Sequence, residues 1–197
     1  MKKHTNKKAI LALLMVMFCA QSSRGQSYEG KGARTKIVEK TQFRLNLLSP
    51  GFDFEIGIFK NQTIVGGAGV GLAYYEEGHA FGIAATAQYR LYHNLNKRIK
   101  NDKVIAGNSG NYIAASCSIY FDQLIISTDI PSANFNIGYF GLVYGVQRTY
   151  ENGFNFDVSV GPGYYLGDGV PSGYGPILNL KFGWVATKRK SQRIYFQ

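Results

Sequence analysis

The stretch that decides the fold is FDFEIGIF at residues 52–59. Large apolar side chains occupy every second position, and acidic or small residues stand between them. The stretch LNLKFGW at 178–184 repeats the pattern, with Asn, Lys and Gly at the intervening positions. Successive side chains of a β-strand point to opposite faces, so each stretch predicts a strand with one apolar and one polar face. This period recurs about eight times, which predicts an all-β fold: an eight-stranded antiparallel up-and-down transmembrane β-barrel.

The first part of the chain has the features of a secretory signal peptide that is removed. Residues 1–25 begin with four lysines, continue with an apolar core at 9–20, and place Ser23 and Gly25 before a cut at Gln26. A membrane anchor is disfavoured, because so short a core cannot cross roughly 30 Å of hydrocarbon as a helix. The sequence therefore predicts export from the cytoplasm.

Two cysteines offer different chemistry. Cys19 would serve a lipoprotein alternative, but Phe18 before it is too bulky for a good lipidation site. Cys117 is the only cysteine left after cleavage, so an intramolecular disulfide is impossible. It lies in the alternating run 112–121, in phase with apolar residues. A buried or lipid-facing small hydrophobe is therefore favoured over a catalytic thiol.

Length and charge suit one modestly basic domain. Residues 1–25 hold five Lys/Arg and no acid, so the mature chain carries 17 basic and 12 acidic residues, a net charge of +5. The basic residues are scattered and lack the interleaved aromatic side chains of a nucleic-acid stacking surface. The composition therefore argues against nucleic acid as a partner.

Four parts are predicted, in order: the signal peptide at 1–25, a polar periplasmic N-terminal segment at 26–40, the barrel at 41–186, and a basic C-terminal tail at 187–197. Turn residues separate the predicted strands, which are 41–49, 51–60, 63–75, 81–92, 111–121, 135–148, 154–166 and 175–186. Two connections are longer, 93–110 and 122–134, and a short helical turn fits 95–103. The phase of 135–148 stays open, because both of its faces are mixed.

The apolar faces of the predicted strands carry no charge, while the polar faces are rich in Gly, Ala, Ser and Asn. A soluble barrel of the lipocalin kind is the structural alternative, with the apolar face inside and the polar face wet. Its outer face should carry many Lys, Glu and Thr residues, and this polar face is sparsely charged. Small residues suit the crowded interior of an eight-stranded barrel. The apolar face is therefore predicted to face lipid.

Six charged residues fall on the predicted inner face: Arg44, Asp53, Glu55, Arg90, Asp157 and Lys181. Charges in a low-dielectric interior are costly unless they are paired and hydrogen-bonded. Three positive and three negative groups therefore predict a salt-bridged polar plug that fixes strand register and blocks conduction. A proton or ion path through these groups is the alternative, although an eight-stranded lumen is too narrow for a porin-like channel.

Charge also divides between the two ends of the predicted barrel, if both termini are periplasmic. An external acidic rim consists of Glu76, Glu77, Asp122, Asp129 and Asp168. A periplasmic basic rim consists of Lys97, Arg98, Lys100, Lys103, Lys188, Arg189, Lys190 and Arg193. The basic rim could rest against anionic phospholipid headgroups. This topology places the long connection 93–110 on the side where turns are usually short.

The strand pattern resembles that of the small outer-membrane β-barrel proteins of Gram-negative bacteria, of the OmpA/OmpX type. The resemblance covers roughly 41–186, and YRLY at 89–92, GNY at 110–112 and GVQRTY at 145–150 are similar to segments of an uncharacterised subgroup. It implies a location in the cell outer membrane, contact with outer-membrane lipid, and a monomer. Members usually end on an aromatic residue that closes the last strand, whereas here a tail follows Trp184 and Phe196 is penultimate.

No catalytic or metal-binding arrangement stands out in the sequence. The mature chain has two histidines, His79 and His93, each in or beside a connection. The glycine run at 66–71 lacks the spacing of a phosphate-binding loop, and close packing inside a strand explains it better. No cofactor is implied, and an enzyme is not expected.

Three hypotheses for function remain. The first is a barrel with a plugged, non-conducting lumen and a structural, adhesive or envelope-maintenance role. The second is a barrel, soluble or membrane-bound, that binds a small hydrophobic ligand. The third is a lipid-modifying enzyme with His79 or His93 as base.

Overall fold

The computed structural model describes residues 37–75, 78–128, 137–167 and 170–187. Eight strands account for most of them: β1 Thr41–Leu48, β2 Gly51–Gly57, β3 Gln62–Tyr75, β4 Gly78–Tyr92, β5 Gly110–Thr128, β6 Ile137–Thr149, β7 Phe154–Gly167 and β8 Val170–Val185. Between β4 and β5 lie the short helix α1, Leu95–Lys100, and a 3-10 turn, Ala106–Asn108. Among the residues so described, no helix is long and apolar enough to span a membrane.

The eight strands form one antiparallel sheet that closes on itself. Each strand pairs with the next in sequence, and β1 pairs with β8 to complete the ring. Leu45 of β1 stands opposite Phe52 of β2 on one side and Trp184 of β8 on the other. Closure gives both long sides of most strands a backbone partner. The all-β fold with eight antiparallel up-and-down strands is thus confirmed.

Strand bounds differ from the predicted ones mainly at β5. The strand continues to Thr128, so Asp122 lies inside β5 and its predicted placement in a connection is wrong. The pairing of β4 with β5 shifts register twice, around Gly82, and such bulges interrupt the strict alternation on which the prediction depended. Likewise, β8 begins at Val170, and β2 ends at Gly57 because the Ile58 amide donates to the carbonyl of Gln62.

The closed sheet has two different ends. One end, here called the plug end, is formed by residues 37–40, the connection 93–109, the turn 150–153 and residues 186–187. The opposite end, here called the cup end, includes the tight turn at 49–50, where Ser49 has a φ of 55°. The predicted signal peptide, most of the predicted N-terminal segment, and tail residues 188–197 lie outside the described residues, as do Glu76, Glu77, Asp129 and Asp168.

Most charged side chains of the strands point to the inside of the ring, and large apolar side chains cover its outside. The six predicted inner charges point inward, and all except Lys181 are buried. Large apolar side chains on the outward face are exposed, among them Leu45, Phe54, Ile64, Ile113 and Leu180. The sequence left the phase of β6 open, and burial settles it: Leu142 points outward and is 61% exposed, whereas Val143 points inward and is 1% exposed.

The outward face is almost free of charge. Arg148, next to the end of β6, is the one charged side chain that the burial pattern of the described strand residues places there. Its guanidinium donates to the carbonyls of Gly110 and Gln147 and to the Asn111 side chain, all at 2.7–2.8 Å. The charge is therefore held against the plug end by local hydrogen bonds.

Aromatic side chains with polar tips mark the two limits of the apolar face. Toward the plug end, the hydroxyl of Tyr89 is bonded to Gln62, and that of Tyr144 accepts a hydrogen bond from Asn111 at 2.8 Å. Gln62 and Asn111 stand at the plug-end termini of β3 and β5. Toward the cup end, Tyr164 and Tyr174 pack edge to face, with ring centroids 4.9 Å apart.

Candidate functional site

The lumen contains a cluster of buried ion pairs, here called the ion cluster: Arg44, Asp53, Glu55, Arg90, Asp157 and Lys181. Arg44 of β1 has its Nη1 2.6 Å from Oε2 of Glu55 and its Nε 3.8 Å from Oδ2 of Asp53. Both carboxylates come from β2, where they are two residues apart and therefore share the inward face. The alternation that defines β2 as a strand thus also places two acids against one arginine.

The other two cations complete the pairing. Arg90 of β4 reaches across the ring, with Nη2 2.7 Å from Oδ2 of Asp157 on β7. The Lys181 ammonium on β8 lies 2.8 Å from Oδ1 of Asp53. Each inward charge that the sequence analysis selected therefore has an opposite charge within 4 Å.

Gln147 of β6 joins the two halves of the ion cluster. Its Oε1 accepts hydrogen bonds from Nη1 of Arg44 at 2.9 Å and from Nη1 of Arg90 at 2.6 Å. Its Nε2 donates to the carbonyl of Gly107 at 2.9 Å. The sequence analysis did not select Gln147, because the mixed faces of β6 gave no phase. The pairing of β6 with β7 places Gln147 opposite Asp157 and so fixes which face of β6 points inward.

Two tyrosines satisfy the remaining carboxylate oxygens. The hydroxyl of Tyr92 donates to Oε1 of Glu55 at 2.9 Å, and that of Tyr112 donates to Oδ1 of Asp157 at 2.6 Å. The Arg90 guanidinium carbon lies 4.2 Å from the centroid of the Tyr112 ring. This places a cation over an aromatic face, an arrangement that stabilises the charge in a desolvated site.

The long connection between β4 and β5 folds into the plug end of the lumen. Asn108 donates from Nδ2 to Oε1 of Glu55 at 2.8 Å, and its Oδ1 accepts from the backbone amide of Glu39. The Gly107 amide donates to Oε1 of Glu39 at 2.9 Å. Leu95 and Ile105 are buried in an apolar cluster with Ile37, Val38, Tyr92, Tyr112, Ala114, Val143 and Ile177. The length of this connection thus has a structural reason, because part of it is inserted into the lumen.

At the other end, the lumen opens into a cavity of about 590 Å³, here called the cup. Three tyrosines line its wall, Tyr120, Tyr139 and Tyr165, and Lys181 and Asn179 are among its polar lining residues. Glycines make room for the rings: a Cβ on Gly71 would stand 2.8 Å from the Tyr120 ring. The sequence analysis expected a well-filled interior, and only the half near the plug end fits that expectation.

The wall of the cup has a gap, here called the notch. The β1–β2 hairpin is short: β2 pairs with β3 only as far as Gly51 opposite Gly69, and β1 reaches only Phe182 of β8, opposite Leu48. Beyond these points, the described residues of β3 at 71–75 and of β8 at 170–181 have strand partners on one side only. Both edges border the cup.

The predicted basic rim is described in part. Lys97, Arg98 and Lys100 lie on α1, Lys103 follows it, and only Arg98 is half-buried rather than exposed. Arg98 donates to the carbonyl of Val104 at 2.8 Å, while partial burial and the nearby Arg148 charge lower its pKa. Thr187 stands at the same end, because its Oγ1 accepts from the Phe43 amide. Lys188, Arg189, Lys190 and Arg193 lie outside the described residues.

Reactive groups are sparse in the part of the chain that is described. There, no group of three or more His, Cys, Asp and Glu is placed to hold a metal ion. Cys117 is exposed on the outward face, in the predicted phase. The ring of His93 is exposed and packs 5.7 Å from that of Tyr144, and the His79 side chain is outside the described set.

Comparison of this chain with protein-family models, with curated proteins and with solved structures finds no match.

Proposed function

We propose that this chain is an outer-membrane β-barrel protein with a plugged, non-conducting lumen and a structural, adhesive or envelope-maintenance role. One observation carries the proposal: a closed sheet presents an apolar, nearly uncharged outward face and buries its charges inside. In hydrocarbon every backbone polar group needs an internal partner, which the sheet supplies wherever each strand is paired on both sides. Exposed Leu, Ile and Phe side chains on its outside then contact lipid rather than water.

The spacing of the aromatic limits supports the same proposal. Trp184, 45% exposed, and Tyr174, 87% exposed, stand ten residues apart on the outward face of β8. Ten residues of strand extend about 33 Å, and at the tilt usual in membrane barrels this is a height of about 25 Å. That height equals the apolar band of outer-membrane barrels, which aromatic girdles flank at both interfaces.

A soluble, lipocalin-like barrel requires the opposite distribution of side chains. Such a barrel would place its apolar face around an internal ligand and its charges in water. Here Arg44 and Glu55 are buried while Leu47 and Leu142 are exposed. The membrane-bound form is therefore the better explanation.

Fractionation of the producing cell tests the location and the fold together. We expect the protein in the outer-membrane fraction, with an unboiled sample that migrates faster on a denaturing gel than a boiled one. A compact barrel resists detergent until heated, whereas a soluble protein would leave the membrane fraction. Recovery of the folded protein in the soluble periplasm would contradict the proposal.

The ion cluster predicts that the lumen does not conduct. Residues of seven strands meet in it through ion pairs and hydrogen bonds, and Asn108 covers it from the plug end. Purified protein in planar bilayers should therefore give no steady conductance above background. Long-lived large openings would show that the lumen is a channel.

We further propose that the plug end faces the periplasm, where exposed Lys97 and Lys100 would lie near anionic phospholipid headgroups. The molecule would be a monomer, since its sheet closes within one chain. Amine labelling of intact cells should leave residues 97–103 unmodified, and labelling after the outer membrane is opened should modify them. Modification of these lysines on intact cells would reverse the topology.

A further inference from the structure

We propose that the cup is a binding site for an uncharged amphiphile, a molecule with a hydrocarbon chain and a hydroxyl, carbonyl or amide head, which enters from the surrounding lipid through the notch. This inference rests on the proposed membrane location. It assigns a ligand to a part of the lumen for which the ion cluster gives no role.

The size and lining of the cup suit such a ligand. Its volume, about 590 Å³, lies within the range of small-molecule sites. Tyrosine rings and Ile177 provide apolar surface, and Lys181, Asn46 and Asn179, from the neighbouring strands β8 and β1, are among the polar lining residues. An apolar cavity with a few convergent polar groups is the usual form of a small-molecule site.

The notch joins the cup to the apolar outward face. On the β8 side, Leu178 is exposed on the outward face, between the aromatic limits Tyr174 and Trp184, and also borders the cup. On the opposite side, Leu48 at the end of β1 and Val70 of β3 border the cup as well. The side chains named at the opening are thus apolar, and a hydrocarbon chain that enters would contact them.

The Lys181–Asp53 ion pair beside the cup favours a ligand whose polar head group has no net charge. The Lys181 ammonium has three N–H donors, and one of them meets Oδ1 of Asp53 at 2.8 Å. The side chain is 18% exposed, so further donors can reach a ligand oxygen. The three cations and three carboxylates of the ion cluster balance each other, so an added carboxylate would stand close to Asp53 without a cation of its own.

A pairing β-strand is the competing occupant, because unpaired backbone groups border the notch. Two strands stop below the gap, so one added strand could pair with β3 or with β8 but could not pair with both. One edge would then remain unpaired. An amphiphile, in contrast, would fill both the opening and the cavity.

Tryptophan quenching in vesicles tests the proposal. Trp184 is the only tryptophan and is exposed on the outward face, so Tyr120→Trp in a Trp184→Phe background moves the reporter into the cup. A brominated long-chain alcohol is added at increasing mole fraction. We expect the fluorescence quenching of the cup variant to saturate. Half of the quenching should be reached at a mole fraction of brominated alcohol about tenfold lower than that needed for Trp184 of the native protein. Tyr139→Trp gives a second reporter if the first variant does not fold.

Matched variants separate binding from partitioning into lipid. Ser118→Phe adds a ring that fills the cup, while Ala115→Phe adds the same ring to the outward face of the same strand. Each is combined with the Tyr120→Trp reporter, and saturation should be lost in the first and kept in the second. A brominated fatty acid of equal length, kept ionised, should bind about tenfold more weakly than the alcohol.

Several results would overturn the proposal. Quenching of the cup variant that rises linearly, like that of Trp184, would show no binding site, and so would saturation that persists in Ser118→Phe. Equal or tighter binding of the ionised acid would contradict the preference for an uncharged head. A dimer in native mass spectrometry would indicate a strand partner. Failure of the membrane location is distinguishable, because brominated phospholipid would then leave native Trp184 unquenched.

Discussion

At the scale of single residues, the uncharged side chain of Gln147 links Arg44, Arg90 and the inserted connection by hydrogen bonds. One oxygen accepts from two arginines, and the amide nitrogen of the same side chain donates to the inserted connection. Two guanidinium groups can therefore lie near each other while each keeps its carboxylate. The side chain is fully buried, so water cannot replace these bonds.

Replacing Gln147 by Met keeps the volume and removes the hydrogen bonds. Hydrogen bonds to charged groups are worth about 1.5–3 kcal/mol each, so we expect Gln147→Met to lower the free energy of unfolding by roughly 3 kcal/mol. Urea titration in vesicles, with the folded fraction read from gel migration, measures the change. Leu142→Met on the outward face of the same strand is the control and should change stability little. Equal stability of the two variants would contradict this role.

The Arg90–Asp157 pair predicts a rescue by a second substitution. Arg90→Met leaves a buried carboxylate with the Tyr112 hydroxyl but without its cation, which should cost about 3–5 kcal/mol. Adding Asp157→Leu removes the stranded charge and should recover at least half of that loss. The same urea titration compares both single variants with the double one. If the two losses simply add, the pair is not coupled as the geometry indicates.

At the scale of elements, the two faces of a strand tolerate opposite changes. A Cβ on Gly145, on the inner face of β6, would overlap the Tyr112 ring, and one on Gly66, on the outer face of β3, would meet nothing within 4 Å. Overpacking typically costs about 1–3 kcal/mol, so Gly145→Val should destabilise the fold by at least that amount. Gly66→Val should be neutral or stabilising, because a β-branched residue suits an exposed strand position. Thermal unfolding of both variants, followed by gel migration, distinguishes the faces; a similar loss for both would refute the assignment.

The connection between β4 and β5 shows why loop length alone does not indicate function. It is the longest described connection between strands, and its residues Gly107 and Asn108 lie in the lumen and bond to Gln147 and Glu55. Its basic residues Lys97 and Lys100 point to solvent while Leu95 is buried. One segment therefore both closes the plug end and presents positive charge.

At the scale of the whole molecule, the depth of Trp184 reports on the proposed insertion. The aromatic limits place it at the plug-end interface, so bromine near the lipid headgroups should quench it more than bromine near the chain ends. Vesicles of two brominated phospholipids that differ in bromine position measure this. Protein held unfolded in urea beside the same vesicles should show little quenching. Stronger quenching from the chain ends would place Trp184 in the middle of the bilayer and contradict the proposed band.

The molecule also divides along its axis into a filled and an open half. Near the plug end, ion pairs and the inserted connection occupy the lumen, and near the cup end tyrosines on a glycine-rich wall leave a cavity. A closed lumen and a small binding site are therefore compatible within one barrel. The first and second functional hypotheses drawn from the sequence do not exclude each other.

The sequence by itself determined the eight strands, the inward direction of Arg44, Asp53, Glu55, Arg90, Asp157 and Lys181, and the apolar outer face. These follow from a two-residue period, a local property that a single strand expresses. Prediction from this period failed at Asp122 in β5, where the alternation is interrupted. It also left the phase of β6 open, because both faces of that strand carry polar and apolar residues.

Only the tertiary structure decided which charges meet, that Gln147 joins them, and that the lumen is half filled. Register between strands distant in sequence places Gln147 opposite Asp157, and the early end of β1 and β2 creates the notch. Such features depend on which residues stand opposite each other across the ring. No local pattern encodes that, because it is fixed by pairing, bulges and closure of the whole sheet.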